Sequence, residues 1–318
     1  MTTESVTLSR DEPFPLPTER RYPLDLSTRI PELRRLYHES NASIWNVADD
    51  LDITAIDVDR LDDQTRAAAA LSWSRRAWLS FADISESEAA LVRSCLELDR
   101  EADFKFVLAT RGTERAVAAD ACHRIAQRLG GYRATPPEGT EALFTAEPIR
   151  RALDERVDFD AYVVAHFVVL ATIDRALLET AVAATTDATC RGALERILVD
   201  IERQETAGRI YAEARLDRLD DDARATVTAN VVDVVRLDVL SGRRCVAFVD
   251  EDIAGGAELR MAEELTAHAG LGAATLVAQG EAVTAALAAL HADLDRLGLD
   301  GGAATSIETA PASPRSPR

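Results

Sequence analysis

The chain has 318 residues, 47% of them hydrophobic, and a formal charge of −19. That length admits one large helical domain or two smaller ones, and the apolar share is enough for a sizeable core. The acidic balance speaks against nucleic acid and against an anionic membrane surface, both of which attract Lys and Arg. No run of about 18 apolar residues stands out, so no bilayer span is expected. Met1–Ser5 lacks the basic-then-apolar pattern of a secretory signal. Cys95, Cys122, Cys190 and Cys245 are scattered without a C-x-x-C pair, which reads as free thiols in a reducing cytoplasm.

In chain order, residues 1–27 hold Pro13, Pro15, Pro17 and Pro23 and read as an irregular arm. Ser27–Ser40 is predicted helical, with Ile30, Leu33, Leu36 and Tyr37 at helical spacing, and a loop follows through Trp45. The acidic stretch Asp49–Asp63 leads into an Ala-rich helix from Gln64 to about Phe81, with helicity continuing in pieces to Arg100. A second helix, Glu101–Leu129, stops at Gly130-Gly131. Beyond Pro136-Pro137 and a short helix from Pro148, a third core helix covers Phe159–Thr185. Thr186-Asp187 caps a fourth, Thr189–Leu219. Helices over 221–249 and 257–293 are separated by Gly255-Gly256, and the remainder reads as a disordered tail. Strand signals are nearly absent. The expected organisation is therefore an arm and first helix over 1–45, a helical bundle over 46–293 and a tail over 294–318.

Helical periodicity assigns inward faces. On the first long helix the stripe Ile84, Glu88, Leu91, Cys95 turns Glu88 inward, with Glu86 as the fallback. On the second, Leu108, Arg115, Ala118, Cys122 and Ile125 share a stripe. On the third, Val164, Val168, Ala171, Arg175 and Leu178 do so, and on the fourth Ile197, Ile201, Gln204, Gly208 and Tyr211. His166 reads as a core histidine, and Trp73, Trp78 and Tyr211 as packing residues.

Four pieces together resemble the ferritin-like superfamily, on its branch of ribonucleotide-reductase-like and bacterial diiron oxygenases. They are Leu36-Tyr37 through Trp45, Trp73 to Glu88, Thr113 to Cys122 and Asp200 to Gly208, and the resemblance covers roughly residues 30–250. It implies an all-α ferritin-like four-helix bundle with an N-terminal arm and additional C-terminal helices. Such a bundle holds two irons on a Glu from each of two helices and a Glu-x-x-His from each of the other two. At the two motif positions this chain has Arg115 for Glu and Ala118 for His, then Ile201 for Glu and Gln204 for His. Ala171 stands at the third ligand position, and Glu88 is the retained equivalent of the first. Arginine has no lone pair to offer a metal, so neither metal nor cofactor is expected.

Three functions compete on these residues. In the leading one, the emptied centre binds a small anionic substrate. Arg115 and Arg175 hold the anion, Glu88 acts as base, and Gln204 orients the substrate. Glu202, Ala171, Ile201 and Ala118 contribute to the pocket. Sulfate or phosphate then departs, with ring closure by an amine as one form, in bacterial secondary-metabolite (antibiotic) biosynthesis. In the second, Arg115 pairs with Glu88 and Arg175 with Asp174 or a neighbouring acid, and the chain is a redox-inert partner in a heterodimer with another ferritin-like or accessory protein. The third is a diiron oxygenase using Glu114, Glu202 and Glu205 as unusual ligands. An open, Arg-lined pocket favours the first; a space closed by Ile201 and Ala171 favours the second.

Overall fold

The computed structural model describes residues 27–96, 102–144, 151–154 and 158–305. The expected arm up to residue 26, the helicity expected over 97–101, the start of the helix at Pro148 and the tail from residue 306 lie outside these residues. All regular structure among the described residues is helical, without a strand.

Besides a single α-turn at Val47–Asp50, short 3-10 turns and a π-helical extension at Val235–Val239, the helices are α1 (Pro31–Ser43), α2 (Asp63–Leu96), α3 (Ala102–Leu129), α4 (Phe159–Ala184), α5 (Ala188–Leu216), α6 (Asp221–Val234), α7 (Gly256–His268), α8 (Leu276–Arg296) and α9 (Gly301–Thr305). Side-chain caps set several starts by satisfying otherwise orphaned backbone N–H groups. The carboxylate of Asp62 accepts from Thr65 N at 2.7 Å, Asp187 from Cys190 N at 2.8 Å and Asp220 from Ala223 N at 2.9 Å. The Ala-rich sequence of α2 has no internal Gly or Pro, and the helix runs unbroken for 34 residues where pieces were expected.

α2 packs along α3, and α4 along α5, with α3 meeting α5 between the pairs; α1 lies against α3 and α5. The C-terminal helices extend this core. α7 covers α2, α6 and α8 cover α4, and α9 sits on α6 and α8. One apolar cluster joins Trp73, Ile125, Leu194 and Ile201, and another gathers Val168, Ile173, Val231 and Leu290 around α4.

Three expectations are corrected by this packing. The absence of a long apolar run does not hold: α4, at 26 residues, is long and apolar enough to cross a membrane, but 72% of its most apolar window is buried. Its apolarity serves neighbours on every side. The helix expected over 257–293 is two helices, because Gly270 and Gly272 take positive φ between them. That turn is held where Trp73 Nε1 donates to Leu271 O at 2.7 Å, and any side chain on Gly272 would collide with the Trp73 ring. Finally, residues 294–305 are folded and do not belong to a tail, since Leu294 and Leu299 are buried.

Within α4, Val164–Leu170 forms a π-helix, fully buried. Gly208 of α5 lies against it so closely that a Cβ there would stand 2.5 Å from the Phe167 carbonyl oxygen. Such turns change the register of side chains downstream and are common beside functional sites.

Candidate functional site

Arginines and carboxylates from distant parts of the chain meet between α2, α3, α4 and the loop after α6. Arg244 in that loop donates Nη2 to Asp83 Oδ1 at 2.7 Å and Nη1 to Asp83 Oδ2 at 2.9 Å. The same Nη1 reaches Asp174 Oδ2 at 3.3 Å. Arg115 donates Nη2 to Gln204 Oε1 at 2.8 Å. Its Nε stands 3.8 Å from Asp83 Oδ2, too far for a hydrogen bond, and has no acceptor.

Gln204 is oriented from its other end. Its Nε2 donates to Glu114 Oε2 at 3.0 Å, which leaves Oε1 facing Arg115 and Arg111. Glu114 also accepts from Ser40 and Arg203. Next to it, burial and the Glu114 charge push the Asp200 carboxyl up to about 6.

One turn along α2 from Asp83, Glu86 is fully buried. Tyr162 donates its hydroxyl to Glu86 Oε1 at 2.9 Å, and His166 Nδ1 lies 3.0 Å from the same oxygen. His166 is thus a core histidine with a carboxylate partner, stacked on the Tyr162 ring. The Arg111 guanidinium lies 3.7 Å from Glu86 and over the Phe167 ring.

Burial and ion pairing compete at each of these groups. At Asp83, burial raises the carboxyl but Arg244 and Arg115 outweigh it, so the group is held below the usual range. At Glu86, burial is likewise overcome, by His166 and then Arg111, and the carboxyl lies well below its ordinary value. At Asp174, burial wins over Arg244 and Arg115 and the carboxyl is raised. Burial lowers Arg75 to about 10 and lowers Arg115 as well, but both stay cationic at neutral pH.

Beside this cluster lies a cavity of about 110 Å³. Arg75, Arg76, Arg115 and Arg244 line it with Asp83, Asp174 and Glu263, and Leu79, Leu178 and Ile201 supply an apolar side. The lining residues Arg76, Ser80, Leu177 and Leu178 keep part of their surface exposed.

The residues proposed from sequence are distributed unevenly around this space. Arg115 and Ile201 line it, and Gln204 touches Arg115. Ala118 and Ala171 are buried in the adjoining apolar cluster, away from the cavity wall. Glu88 is corrected: it is exposed over Gly112, and Glu86 takes the inward position. The stripe through Glu88 followed the apolar Ile84 and Leu91, but α2 buries Asp83 and Glu86 instead, because Arg244 awaits the first and Tyr162, His166 and Arg111 the second. Arg175 is corrected too. It is half-buried and pairs with Glu205 and Glu179, not Asp174, and Asp174 faces the cavity. α4 is apolar all round before this point and passes through a π turn, so an α-period stripe could not fix its register. Glu202 is exposed, a helical step away from the inward Ile201.

Reading single helices misses Arg75, Arg76, Asp83 and Arg244, and reaches Asp174 only as a partner for Arg175. On the helices the one signal is charge within otherwise apolar stretches, which does not say what it meets, and Arg244 lies in a loop.

The donor set does not fit the diiron centre that the resemblance implies. Arg111, Arg115 and the Gln204 amide stand there, and guanidinium adds positive charge without offering a lone pair. Among the described residues no three His, Cys, Asp or Glu side chains are grouped to hold an ion. Glu114, Glu202 and Glu205 do not converge: Glu202 is exposed, and Glu205 serves Thr172, Arg175 and Arg209. No protein-family model and no curated protein matches this sequence.

Proposed function

We propose that the protein is an enzyme on a ferritin-like bundle in which an anion pocket occupies the metal plane of its relatives, acting on a small molecule that carries a sulfate or phosphate ester. The observation that carries this reading is Arg115. It is buried, cationic and one donor short of satisfied, on the wall of a cavity shared with three further arginines. A buried donor without an acceptor is costly, and an oxyanion supplies acceptors in the geometry a guanidinium fork prefers.

In the proposed reaction the carbon–oxygen bond to the ester breaks and its electron pair leaves on the sulfate or phosphate. The arginines stabilise the negative charge that grows there. An amine of the same substrate forms the new carbon–nitrogen bond and gives up its proton to a carboxylate of the cavity. The step needs no oxidant or reductant. The cavity beside Ile201 supports this reading over a partner subunit, which needs that space filled. Buried free thiols at Cys122, Cys190 and Cys245 support a reducing, cytoplasmic setting.

Calorimetric titration with inorganic sulfate tests the pocket. The expected result is saturable binding to the wild type, weakened at least tenfold (about 1.4 kcal/mol) in Arg115→Ala, with the melting temperature near the parent value. Absence of sulfate binding by the wild type, or undiminished binding by Arg115→Ala, overturns the proposal.

A further inference from the structure

The hydrogen-bond accounts of the three cavity carboxylates are unequal. Asp83 has both oxygens on Arg244. Glu263 accepts from Ser72 on one oxygen and from Gln279 and Arg76 on the other. Asp174 accepts a single long bond on Oδ2, and its Oδ1 accepts none from the described residues. The arginines are uneven in the same way, since Nε of Arg75, Arg115 and Arg244 is buried without an acceptor. The cavity therefore offers spare donors and one spare carboxylate oxygen.

We propose that the cavity takes an amphoteric ligand, with Arg115 and its neighbours holding the anionic group and Asp174 Oδ1 accepting a hydrogen bond, and then a proton, from an amine of the same molecule. The inference rests on the anion-pocket reading and deepens it, assigning the base to Asp174 in place of Glu88 and the substrate class to small amino-bearing sulfate or phosphate esters.

The electrostatics agree with the geometry. Two neighbouring carboxylates share Arg244, yet their environments push them apart, Asp83 below the usual range and Asp174 above it. A pair split in this way separates a fixed counter-charge from a proton acceptor. The charged groups acting on Asp174 are Asp83 from α2, Arg111 and Arg115 from α3 and Arg244 from the loop after α6. Gln279 of α8 and Ile201 of α5 line the same space without charge. The proton passes from the ammonium or the reacting amine to Oδ1, while the electron pair of the breaking bond leaves with the oxyanion at the arginines.

Two probes separate this inference from the reading beneath it: ethyl sulfate, and 2-aminoethyl hydrogen sulfate, which adds only the amine. Both are titrated calorimetrically into wild type, Asp174→Asn and Arg115→Ala. The wild type is expected to bind both, the amino ester roughly tenfold more tightly, as a charge-assisted hydrogen bond would give. Asp174→Asn is expected to bind ethyl sulfate at least as tightly as the wild type, since a like charge beside the anion is gone, which also shows that it is folded, and to lose the tenfold preference. Arg115→Ala weakens both probes. In the wild type the preference should disappear as the pH is lowered through the raised value of Asp174, where the carboxyl is neutral. A preference that survives in Asp174→Asn or at low pH, or a wild type with no preference, overturns the Asp174 assignment while leaving the pocket intact. Failure of both probes to bind the wild type removes the pocket and the assignment with it.

Discussion

Two charged networks within this protein share the same chemistry and differ in how completely it is satisfied. On the outer side of α4 and α5, Glu205 accepts from Thr172 at 2.8 Å, from Arg175 at 2.6 Å and from Arg209 at 2.8 Å, and Arg209 continues to Asp293 at 2.6 Å. None of the atoms in that network is a buried orphan. Around the cavity, by contrast, Nε of Arg115 and of Arg244 is buried without an acceptor, and Asp174, partly exposed, accepts one long bond on Oδ2. Buried polar groups in native proteins are normally paired, so the two networks differ in how far the described side chains satisfy them.

The largest effect that could break this contrast is removal of Arg244. It neutralises Asp83 and Asp174 together, so Arg244→Met should lower unfolding stability by about 3–5 kcal/mol, read by urea denaturation. A loss below about 1 kcal/mol would put the cavity cluster on a level with an exposed ion pair.

An intermediate test sets the two aspartates against each other. Asp83 has a depressed folded-state carboxyl, so its stabilisation is fully present above its unfolded value and is lost as the pH falls through the folded one. Asp174 has a raised carboxyl, so its ionisation opposes folding as the pH rises from the unfolded value through the folded one. At pH 7, Asp83→Asn should cost about 2 kcal/mol, a difference that shrinks on acidification. Asp174→Asn should leave stability unchanged or slightly improved. Equal losses in the two variants, measured by denaturation at both pH values, would erase the distinction.

The smallest effect belongs to the satisfied network. Arg175 is partly exposed, and its pairs with Glu205 and Glu179 are screened by water. Arg175→Ala should change stability by no more than about 1 kcal/mol and leave sulfate affinity untouched. A tenfold loss of sulfate binding would restore it to the site that the sequence suggested.

How much was legible differs from helix to helix. On α3 and α5 the apolar stripes are weak, yet Arg115, Ile201 and Gln204 are buried on the faces that the helical period assigns. On α2 the rule that apolar residues face inward selected Glu88, because it cannot foresee a helix that buries Asp83 and Glu86. On α4, buried all round from Phe159 to Ile173 and passing through a π turn, the α-helical period gave the wrong face, and Arg175 was chosen over its neighbour Asp174.

The sequence by itself determined the all-helical class, most helix limits and the inward direction of Arg115, because propensity, capping and period act within a few residues. The tertiary structure alone decided which acids are buried and which carboxylate oxygen stays free. The energy of a buried charge depends on its partner, and here that partner is remote: Arg244 meets Asp83 across 161 positions of the chain.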